Sequence, residues 1–310
     1  MVYDFCDGYA KVQLDGKLGF VDMQGNEVTA IIYDNIYPFV DGIARVKKNR
    51  LYGFVDSQGQ EIISTKYNTV DDFSEGYAAV GINDKYGYID TAGNVVLPII
   101  YDYADTFSEG YAYVKKDGKN MYINKKGEVV LTLDYDYLYT FSGGVAKVQR
   151  DDRFGFINTK GKQITPVDFD SASPFVSGVS KVEMDGKYGY VNRDGQTVVP
   201  IIYDEIGSVQ YNFIRARKGE VWSVYSVDGT KALDNMYYVG EFSKGRAVIG
   251  VYNTQKNKPL YGYANETLGV VVGAVFDEAE SFKSDGTARV VYENQEYVID
   301  INGNKITKEE

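Results

Sequence analysis

Carboxylates are the only side chains of this sequence that could carry out acid-base catalysis without partners of another type. The chain of 310 residues has 44 Asp and Glu, no histidine and a single cysteine, Cys6. Histidine is the commonest general base, the usual partner of a nucleophilic Ser or Cys, and the commonest transition-metal ligand. Because two carboxylates that flank a cleft suffice for glycoside hydrolysis, a carboxylate-based glycoside hydrolase is the one enzymatic alternative that remains.

The acids recur at two places, and both places favour structural roles. One set ends a predicted strand just before a turn and consists of Asp22, Asp56, Asp90, Asn124, Asn158 and Asn192. A side-chain oxygen at such a place accepts backbone N–H bonds, and Asn serves there as well as Asp. The other set follows an aromatic residue, where we predict caps between units, and consists of Asp34, Asp102, Asp136, Asp170 and Asp204.

Metal and phosphate chemistry find no matching pattern. No loop has the alternating acid spacing of a calcium motif, one cysteine cannot build a structural zinc site, and the many glycines follow the spacing of turns instead of a phosphate-binding loop. We therefore predict no catalytic residue, no metal site and no cofactor.

Aromatic side chains offer the other kind of chemistry, which is recognition. The 29 tyrosines are too many for all of them to be buried without hydroxyl partners. Tyrosines repeated on one face could stack on sugar rings or anchor a protein partner; the alternative is that their rings form the core between units while the hydroxyls reach solvent. The candidate partner-binding residues are Trp222, Arg215, Arg217, Tyr52, Tyr86 and Tyr188.

These residues belong to a tandem repeat of about 34 residues. The units open at Phe5, Phe39, Phe73, Phe107, Phe141, Phe175, Val209, Phe242 and Phe282. The first six keep the same spacing throughout, whereas residues 209–310 are degenerate, and the seventh unit holds Trp222. We predict one repeat array over residues 1–310, and the departure from the pattern between Val209 and Tyr238 marks a region for a specific contact.

Each unit is predicted to be a three-stranded antiparallel meander, so the fold class is all-β. Side chains alternate with a period of two on both sides of Asp-Gly turns such as Asp185-Gly186, which is typical of hairpins. Pro98, Pro166 and Pro200 fall at the same place in the third strand, which we predict to lie or end at a sheet edge because proline cannot donate to a ladder. About nine units would form an open solenoid or superhelix, with a closed β-propeller-like ring as the alternative.

The second strand of most units carries an aromatic or large apolar residue, a glycine and a second aromatic residue. In Tyr86-Gly87-Tyr88 the small Gly87 lets an aromatic ring or a backbone segment of a neighbouring strand approach closely. The pattern F-S-E-G-Y-A-A-V, followed by D-K-Y-G-Y-I-D and P-I-I-Y-D, resembles the bacterial WG repeat family, whose Trp-Gly pair corresponds to Tyr86-Gly87. The resemblance covers nearly the whole chain and implies a β-rich binding or scaffolding array without a defined catalytic chemistry.

Charge and composition narrow the choice of partner. The net charge of −11 disfavours nucleic acid and suits a basic or neutral partner. No apolar run approaches the ~20 residues of a membrane span, and the first residues lack the pattern of a secretory signal, so we expect no membrane insertion. A cytoplasmic location is the default expectation, with an exported mature form as the alternative. We predict a non-enzymatic scaffold for a protein or peptide partner, with a glycan or cell-envelope binding module as the alternative.

Overall fold

The computed structural model describes residues 1–306 and confirms the predicted all-β class. Its strands form nine small antiparallel sheets in tandem, numbered here as sheets 1 to 9 in chain order. Sheets 1 to 3 consist of β1 (Val2–Cys6), β2 (Tyr9–Leu14) and β3 (Lys17–Asp22); β4 (Asn35–Ile36), β5 (Ile43–Lys48), β6 (Leu51–Asp56) and β7 (Glu61–Tyr67); and β8 (Thr69–Val70), β9 (Tyr77–Ile82), β10 (Lys85–Asp90) and β11 (Val95–Tyr101).

The middle three sheets contain the next eleven strands. Sheets 4 to 6 consist of β12 (Tyr103–Ala104), β13 (Tyr111–Lys116), β14 (Lys119–Asn124) and β15 (Val129–Leu133); β16 (Tyr137–Leu138), β17 (Val145–Arg150) and β18 (Arg153–Asn158); and β19 (Ser171–Ala172), β20 (Val179–Met184), β21 (Lys187–Asn192) and β22 (Thr197–Tyr203).

The last three sheets repeat the same strand order. Sheets 7 to 9 consist of β23 (Glu205–Ile206), β24 (Phe213–Lys218), β25 (Val221–Ser226) and β26 (Lys231–Met236); β27 (Tyr238–Val239), β28 (Arg246–Asn253), β29 (Lys258–Asn265) and β30 (Val270–Phe276); and β31 (Glu278–Ala279), β32 (Ala288–Tyr292) and β33 (Gln295–Ile299).

Six of the nine sheets contain the predicted three-stranded meander together with a fourth strand, whereas sheets 1, 5 and 9 have three strands and, within residues 1–306, no strand after the second glycine turn. This additional strand is a short one, such as β8, which pairs with β9 through Thr69 and Gly81 and through Val70 and Val80. A segment of two residues has no measurable period, so the alternation of side chains could not predict it. It precedes the opening aromatic residue of the unit and pairs with the first of the two long central strands, which is β9 in sheet 3.

Hairpin turns join the two long central strands of each sheet. Asp185 and Gly186 adopt φ angles of 52° and 69°, as expected for a two-residue turn in which both central residues have positive φ. The turn sets the register of β20 and β21, in which Met184 lies opposite Lys187 and Ser180 lies opposite Val191. The Asp-Gly signal in the sequence therefore predicted this turn correctly.

Two of the three prolines at this repeat position lie in edge strands, where one side of the strand needs no backbone N–H donor. Pro98 lies in β11 and Pro200 in β22, and each of these strands is at the edge of its sheet. Pro166, which occupies the same repeat position, lies between β18 and β19. The prediction of an edge position for the proline-containing strands is confirmed for β11 and β22.

Gly87 is covered by the third strand of its own sheet. Tyr86 pairs with Tyr101, but Tyr88, two residues further on, pairs with Leu97, four residues back, so β11 bulges opposite the glycine. A Cβ atom at Gly87 would lie 2.7 Å from the carbonyl oxygens of Leu97 and Pro98. The repeated glycine is therefore a packing device, and the segment that approaches it is backbone.

Aromatic contacts between consecutive sheets build the core. Phe107, which opens the fourth unit, packs against Tyr88 and Tyr77 of sheet 3 with ring centroids 4.8 and 5.4 Å apart. Leu97 from sheet 3 and Ala112 from sheet 4 belong to the same buried cluster. Each unit thus buries its apolar face on its neighbour, as expected of a repeat protein.

Contacts divide the chain into two compact units. One comprises Met1–Asp151 with Phe156–Gln163, and the other comprises Asp152–Gly155 with Ile164–Glu310. This division does not coincide with Val209, where we predict that the degenerate units begin. Within residues 1–306 there is no helix of the length and apolarity that a membrane-spanning helix requires.

Candidate functional site

The acids at the ends of the second strands form turns, as predicted. Oδ1 of Asp90 accepts hydrogen bonds from the backbone N–H groups of Ala92 at 3.0 Å and Asn94 at 2.8 Å. Oδ1 of Asn124 accepts equivalent bonds, both of 3.0 Å, two and four residues further on. The Asn94 side-chain amide, with these backbone donors, lowers the pKa of Asp90 from its ordinary value. These oxygens are occupied by the turn itself.

The acids that follow the closing aromatic residue connect units, also as predicted. Oδ1 of Asp102 pairs with Nζ of Lys85 at 2.5 Å, while its Oδ2 accepts a hydrogen bond from the backbone N–H of Asp117 at 2.8 Å. Asp204 does the same with Lys187 at 2.5 Å and the N–H of Gly219 at 2.7 Å. The hydrogen bond from Lys85 lowers the pKa of Asp102. Each acid links the second strand of one sheet to the hairpin of the next sheet.

Hydrogen bonds from tyrosine hydroxyls connect consecutive sheets. In four sheets a tyrosine follows the repeated glycine position, which is Met121 in sheet 4, and its hydroxyl donates to a backbone carbonyl oxygen of the following sheet. The bonds are Tyr88 to Asp105 at 2.7 Å, Tyr122 to Tyr139 at 2.5 Å, Tyr190 to Gly207 at 2.8 Å and Tyr263 to Glu280 at 2.7 Å. Burial raises the pKa of Tyr190 to about 12. We expected core hydroxyls to reach solvent; these four reach carbonyl groups because the adjacent sheet presents an acceptor there.

Tyr52, Tyr86 and Tyr188 lie on separate sheets and are half-buried. The ammonium groups of neighbouring lysines lie over two of the rings: Lys47 is 4.8 Å from the ring centroid of Tyr52, and Lys181 is 4.9 Å from that of Tyr188. A hydrogen bond from Lys47 lowers the pKa of the Tyr52 hydroxyl. Part of each ring is accessible, but the three do not form one site, and partner binding by them stays a prediction.

Trp222, Arg215 and Arg217 do come together. The two guanidinium groups lie 5.0 and 5.8 Å from the indole centroid. Arg215 pairs with Glu241 at 2.7 Å and Arg217 pairs with Glu205 at 2.9 Å. Trp222 itself is only 6% exposed, and partner binding by this cluster stays a prediction. A partner could reach the cluster through the arginine and glutamate side chains that surround the indole.

The role of Arg215 is repeated in a regular part of the array. Its Nη1 donates to the carbonyl oxygen of Val239 in the next sheet at 3.1 Å, and Nη1 of Arg45 donates to that of Val70 at 3.3 Å. Arg45 also pairs with Asp72 of that next sheet at 2.6 Å. Both arginines therefore connect consecutive sheets, and the contacts of Arg215 are not peculiar to the degenerate unit.

A tyrosine cluster in sheets 4 and 5 was not among the predicted site residues. The hydroxyls of Tyr103 and Tyr137 lie 2.9 Å apart, and the ring centroid of Tyr113 is 5.2 Å from each of theirs. Nearby are two half-buried carboxyls: burial, and secondarily the charge of Asp105, raise the pKa of Asp71, while burial raises that of Asp105. Tyr103 and Tyr137 occupy equivalent repeat positions. This repetition is the feature of the sequence from which the cluster could have been predicted.

Exposed aliphatic side chains are concentrated on the edge strands. Seven of them lie in four third strands: Val95, Ile100, Val129, Val130, Ile202, Val270 and Val275. Ile100 and Ile202 occupy the same repeat position, three repeats apart. Among residues 1–306, no group of three or more acidic or Cys side chains is arranged to hold a metal ion.

Comparison with solved structures finds β-rich proteins at low similarity. A eukaryotic initiation factor shares 11% identity over 87% of this chain and 86% of that chain, with a TM-score of 0.49. Hsv2p of Kluyveromyces lactis shares 9% identity over 85% and 97%, with a TM-score of 0.40. PorZ, a surface component of the type-IX secretion system of Porphyromonas gingivalis, shares 11% over 96% and 51%, with a TM-score of 0.33. These scores support no functional argument, and the curated protein sequences contain no match.

Comparison with protein families gives a clear result. The profile described as "WG containing repeat" matches residues 19–52, 52–86, 86–119, 121–153, 154–188, 188–222 and 261–295. These seven segments cover most of the chain, and each joins the second strand of one sheet to that of the next. They include the aromatic and glycine positions whose packing is described above. The chain therefore belongs to the WG repeat family.

Proposed function

We propose that this protein is a non-enzymatic scaffold that binds a protein or peptide partner through the edges of its repeated sheets. The observation that carries the proposal is the recurrence of exposed aliphatic residues on the edge strands. Ile100, Ile202 and Val275 are 39%, 42% and 46% exposed. Contiguous exposed apolar surface is typical of interaction sites, and a repeat array offers such surface at regular intervals.

The use of the recurring acids supports the non-enzymatic part of the proposal. Asp90 is engaged by its turn and Asp102 by a cation and a backbone N–H. A general acid or base must instead be within hydrogen-bond reach of the substrate proton that it transfers. The repeat therefore uses these two positions, at which acids recur, to stabilise its own turns and the connections between its sheets.

The charge of the chain favours a basic or neutral partner. With 44 acidic and 33 basic residues, the chain attracts basic surfaces over several ångströms and repels acidic ones. This attraction should accelerate association more than it strengthens the final complex.

The test is affinity capture from a lysate of the organism that encodes the protein. We compare the wild type with a triple variant, Ile100→Lys, Ile202→Lys and Val275→Lys, which places charges on three edge strands. The matched control carries Leu14→Lys, Val221→Lys and Val251→Lys, which are also exposed but lie outside the third strands. Proteins retained by the wild type and the control but lost from the edge variant support the proposal. Equal retention by all three proteins would contradict it.

Glycan binding is the second candidate function, and the tyrosine cluster favours it. Tyr103 and Tyr137 are half-buried and lie near two carboxyls, a combination that suits sugar hydroxyls and ring faces. The rings already pack against Tyr113, however, which reduces the area left for a sugar. Binding to a glycan array that disappears in Tyr137→Ala, without capture of a protein, would place this function first. Turnover of chromogenic glycosides that requires Asp71 or Asp105 would instead establish the hydrolase alternative.

A further inference from the structure

The third strand of sheet 4 differs from the other sheet edges in how its backbone is arranged. Edge strands expose unpaired N–H and C=O groups, and proteins usually protect them with bulges, prolines or charges. In sheet 4, Asn120 pairs with Leu133, Met121 with Thr132 and Tyr122 with Leu131, without a bulge between them. The only irregularity follows at the turn end of the strand, between Tyr122 and Ile123.

The equivalent edges of the other four-stranded sheets carry protective features. β11 and β22 contain Pro98 and Pro200 and bulge opposite a glycine. β7 and β30 bulge in the same way opposite Gly53 and Gly262. β26 contains the charged pair of Lys231 and Asp234. These features interrupt or repel an incoming strand.

β15 lacks the proline, the charged residues and the bulge opposite the glycine position, and its one irregularity lies beside the turn. Thr132 stands at the repeat position of Pro98 and Pro200, and Val129–Leu133 contains no charged residue. Val129 and Val130 are 54% and 40% exposed. The strand therefore combines an edge that is regular over residues 131–133 with exposed β-branched side chains at its turn end, and a strand edge without proline or charge is open to the addition of another strand.

We propose that β15 binds an extended segment of a protein partner as an added β-strand, and that this segment has alternating β-branched residues and basic residues at its ends. The inference rests on the proposed scaffold function and assigns its site and the chemistry of the partner. Main-chain hydrogen bonds to the edge would provide affinity, and side chains on alternate positions would provide selectivity.

Charge decides between a partner and a second copy of this chain. Glu128 and Asp134 flank β15 at its two ends. In an antiparallel pair of two β15 strands centred on Leu131, Glu128 of one copy would lie opposite Asp134 of the other, and like charges directly opposite are destabilising. Lysine or arginine at both ends of an incoming strand would instead face a carboxylate in either orientation. Lys125, in the preceding turn, is already paired with Glu75 at 3.2 Å.

The test uses labelled synthetic peptides and fluorescence anisotropy. The probe has a core of alternating valine and threonine with lysines at both ends, and the comparison peptide has glutamates at the ends. We expect the full-length wild type to bind the lysine-flanked peptide more tightly. Thr132→Pro installs the protein's own edge proline, and Val130→Lys adds a charge to the strand. Each should weaken binding by about tenfold or more. For Thr132→Pro, the loss of a single ladder hydrogen bond is of that order, and for Val130→Lys the added charge repels the lysines of the peptide.

Ser64→Pro is the matched control, because Ser64 occupies the same repeat position in β7, whose edge already bulges. It should leave peptide binding unchanged. If circular dichroism shows that Thr132→Pro does not fold, Val130→Lys carries the test. The inference is overturned if the wild type shows no anisotropy change at the highest soluble peptide concentration, if both variants bind as the wild type does, or if the glutamate-flanked peptide binds equally well. Lysate partners that persist in Val130→Lys but are lost from the triple edge variant would overturn this inference and leave the proposed function in place.

Discussion

Sheets 3 and 4 are consecutive copies of one repeat, and the change that lies opposite the bulge of the third strand is at the glycine position of the second strand. Sheet 3 has Gly87, and β11 bulges towards it with two extra residues between the partners of Tyr86 and Tyr88. Sheet 4 has Met121, which is 8% exposed, and the pairing with β15 continues without extra residues at this point. The difference indicates that the glycine of the aromatic-glycine pair determines the shape of the third strand.

Sheet 7 provides an intermediate case. Ser223 stands at the glycine position; Trp222 pairs with Met236, and Val224 pairs with Leu233, so the third strand carries one extra residue. The hydroxyl of Ser223 donates to the carboxylate of Asp234 at 2.7 Å. As the side chain grows from hydrogen to hydroxymethyl to thioether, the bulge opposite it shrinks from two residues to one to none. The space at this position is therefore filled either by backbone or by a side chain.

The largest effect should come from filling the space beneath a bulge. Gly87→Ala would bring a methyl group within 2.7 Å of two carbonyl oxygens, so β11 must move. We expect a loss of about 3 kcal/mol in the free energy of unfolding, which is typical of overpacking at a rigid site, measured by urea denaturation. Gly273→Ala is the control, since no atom lies within 4 Å of its added methyl group, and it should change stability by less than about 1 kcal/mol. Equal effects in the two variants would refute the packing role.

A second pair of substitutions tests whether contacts between sheets depend on the bulge. Tyr88→Phe and Tyr122→Phe each remove a hydroxyl that donates to a carbonyl oxygen of the following sheet. Each should lower the free energy of unfolding by about 1–2 kcal/mol, because the carbonyl group is left unsatisfied. The exposed Tyr252→Phe is the control and should change stability by less than about 0.5 kcal/mol. If only Tyr88→Phe were destabilising, the connection between sheets would depend on the bulge.

The turn before the third strand should behave alike in both sheets. Asp90→Ala and Asn124→Ala each remove an oxygen that accepts two backbone N–H bonds, and each should cost about 1 kcal/mol in the free energy of unfolding, as the loss of a capping side chain does. Asp90→Asn should cost less than Asp90→Ala, because Asn124 forms the same turn without a charge and only the contribution of the ionised carboxylate is lost. Thermal unfolding of the three variants measures this. A large loss in Asp90→Asn would show that the charge is needed as well as the oxygen.

The repeat unit, its strands and its turns could be predicted from the sequence because each depends on local patterns. The spacing of Phe39 and Phe73 determines the unit, the alternation around Gly87 determines the strands, and the exchange of Asp90 for Asn124 indicates a turn. These features require no knowledge of which residues meet across an interface.

Apart from the short additional strands, the contacts that the sequence did not reveal lie between sheets. The hydroxyl of Tyr88 finds its acceptor in the next sheet, and Trp222 is buried by residues such as Val239 of the following sheet. Alternation divides the side chains of a strand into two faces but cannot say that both faces will be covered when sheets pack on each other. For this reason the sequence could not show that the indole of Trp222, a candidate partner-binding residue, is buried.

The smallest expected effect comes from two half-buried acids outside the turns and ion pairs described above. Asp71 and Asp105 occupy the same repeat position in sheets 3 and 4, and burial raises the pKa of both carboxyls above the value of 3.8 expected in the unfolded chain. At pH 7 both are ionised in both states, and the folded state carries the cost of desolvation; stability therefore rises as the pH falls through the raised folded pKa towards 3.8. Asp71→Asn and Asp105→Asn should each raise the melting temperature slightly at pH 7, and the gain should vanish near the unfolded value.

Asp90 should show the opposite sign, because hydrogen bonds lower the pKa of its carboxyl in the folded state. Its contribution is fully present above 3.8 and is lost as the pH falls through the folded pKa. Melting curves of Asp71→Asn and Asp90→Asn between pH 7 and pH 3 would separate the two classes of acid. If Asp71→Asn lowered the melting temperature at pH 7, the ionised carboxylate would have a stabilising partner. Asp71 would then stabilise the fold, as Asp90 and Asp102 do. A higher melting temperature in both Asp71→Asn and Asp105→Asn would show that the acid at this repeat position destabilises the fold in both sheets. It would do so in sheet 3, whose third strand bulges opposite the glycine position, and in sheet 4, whose third strand does not.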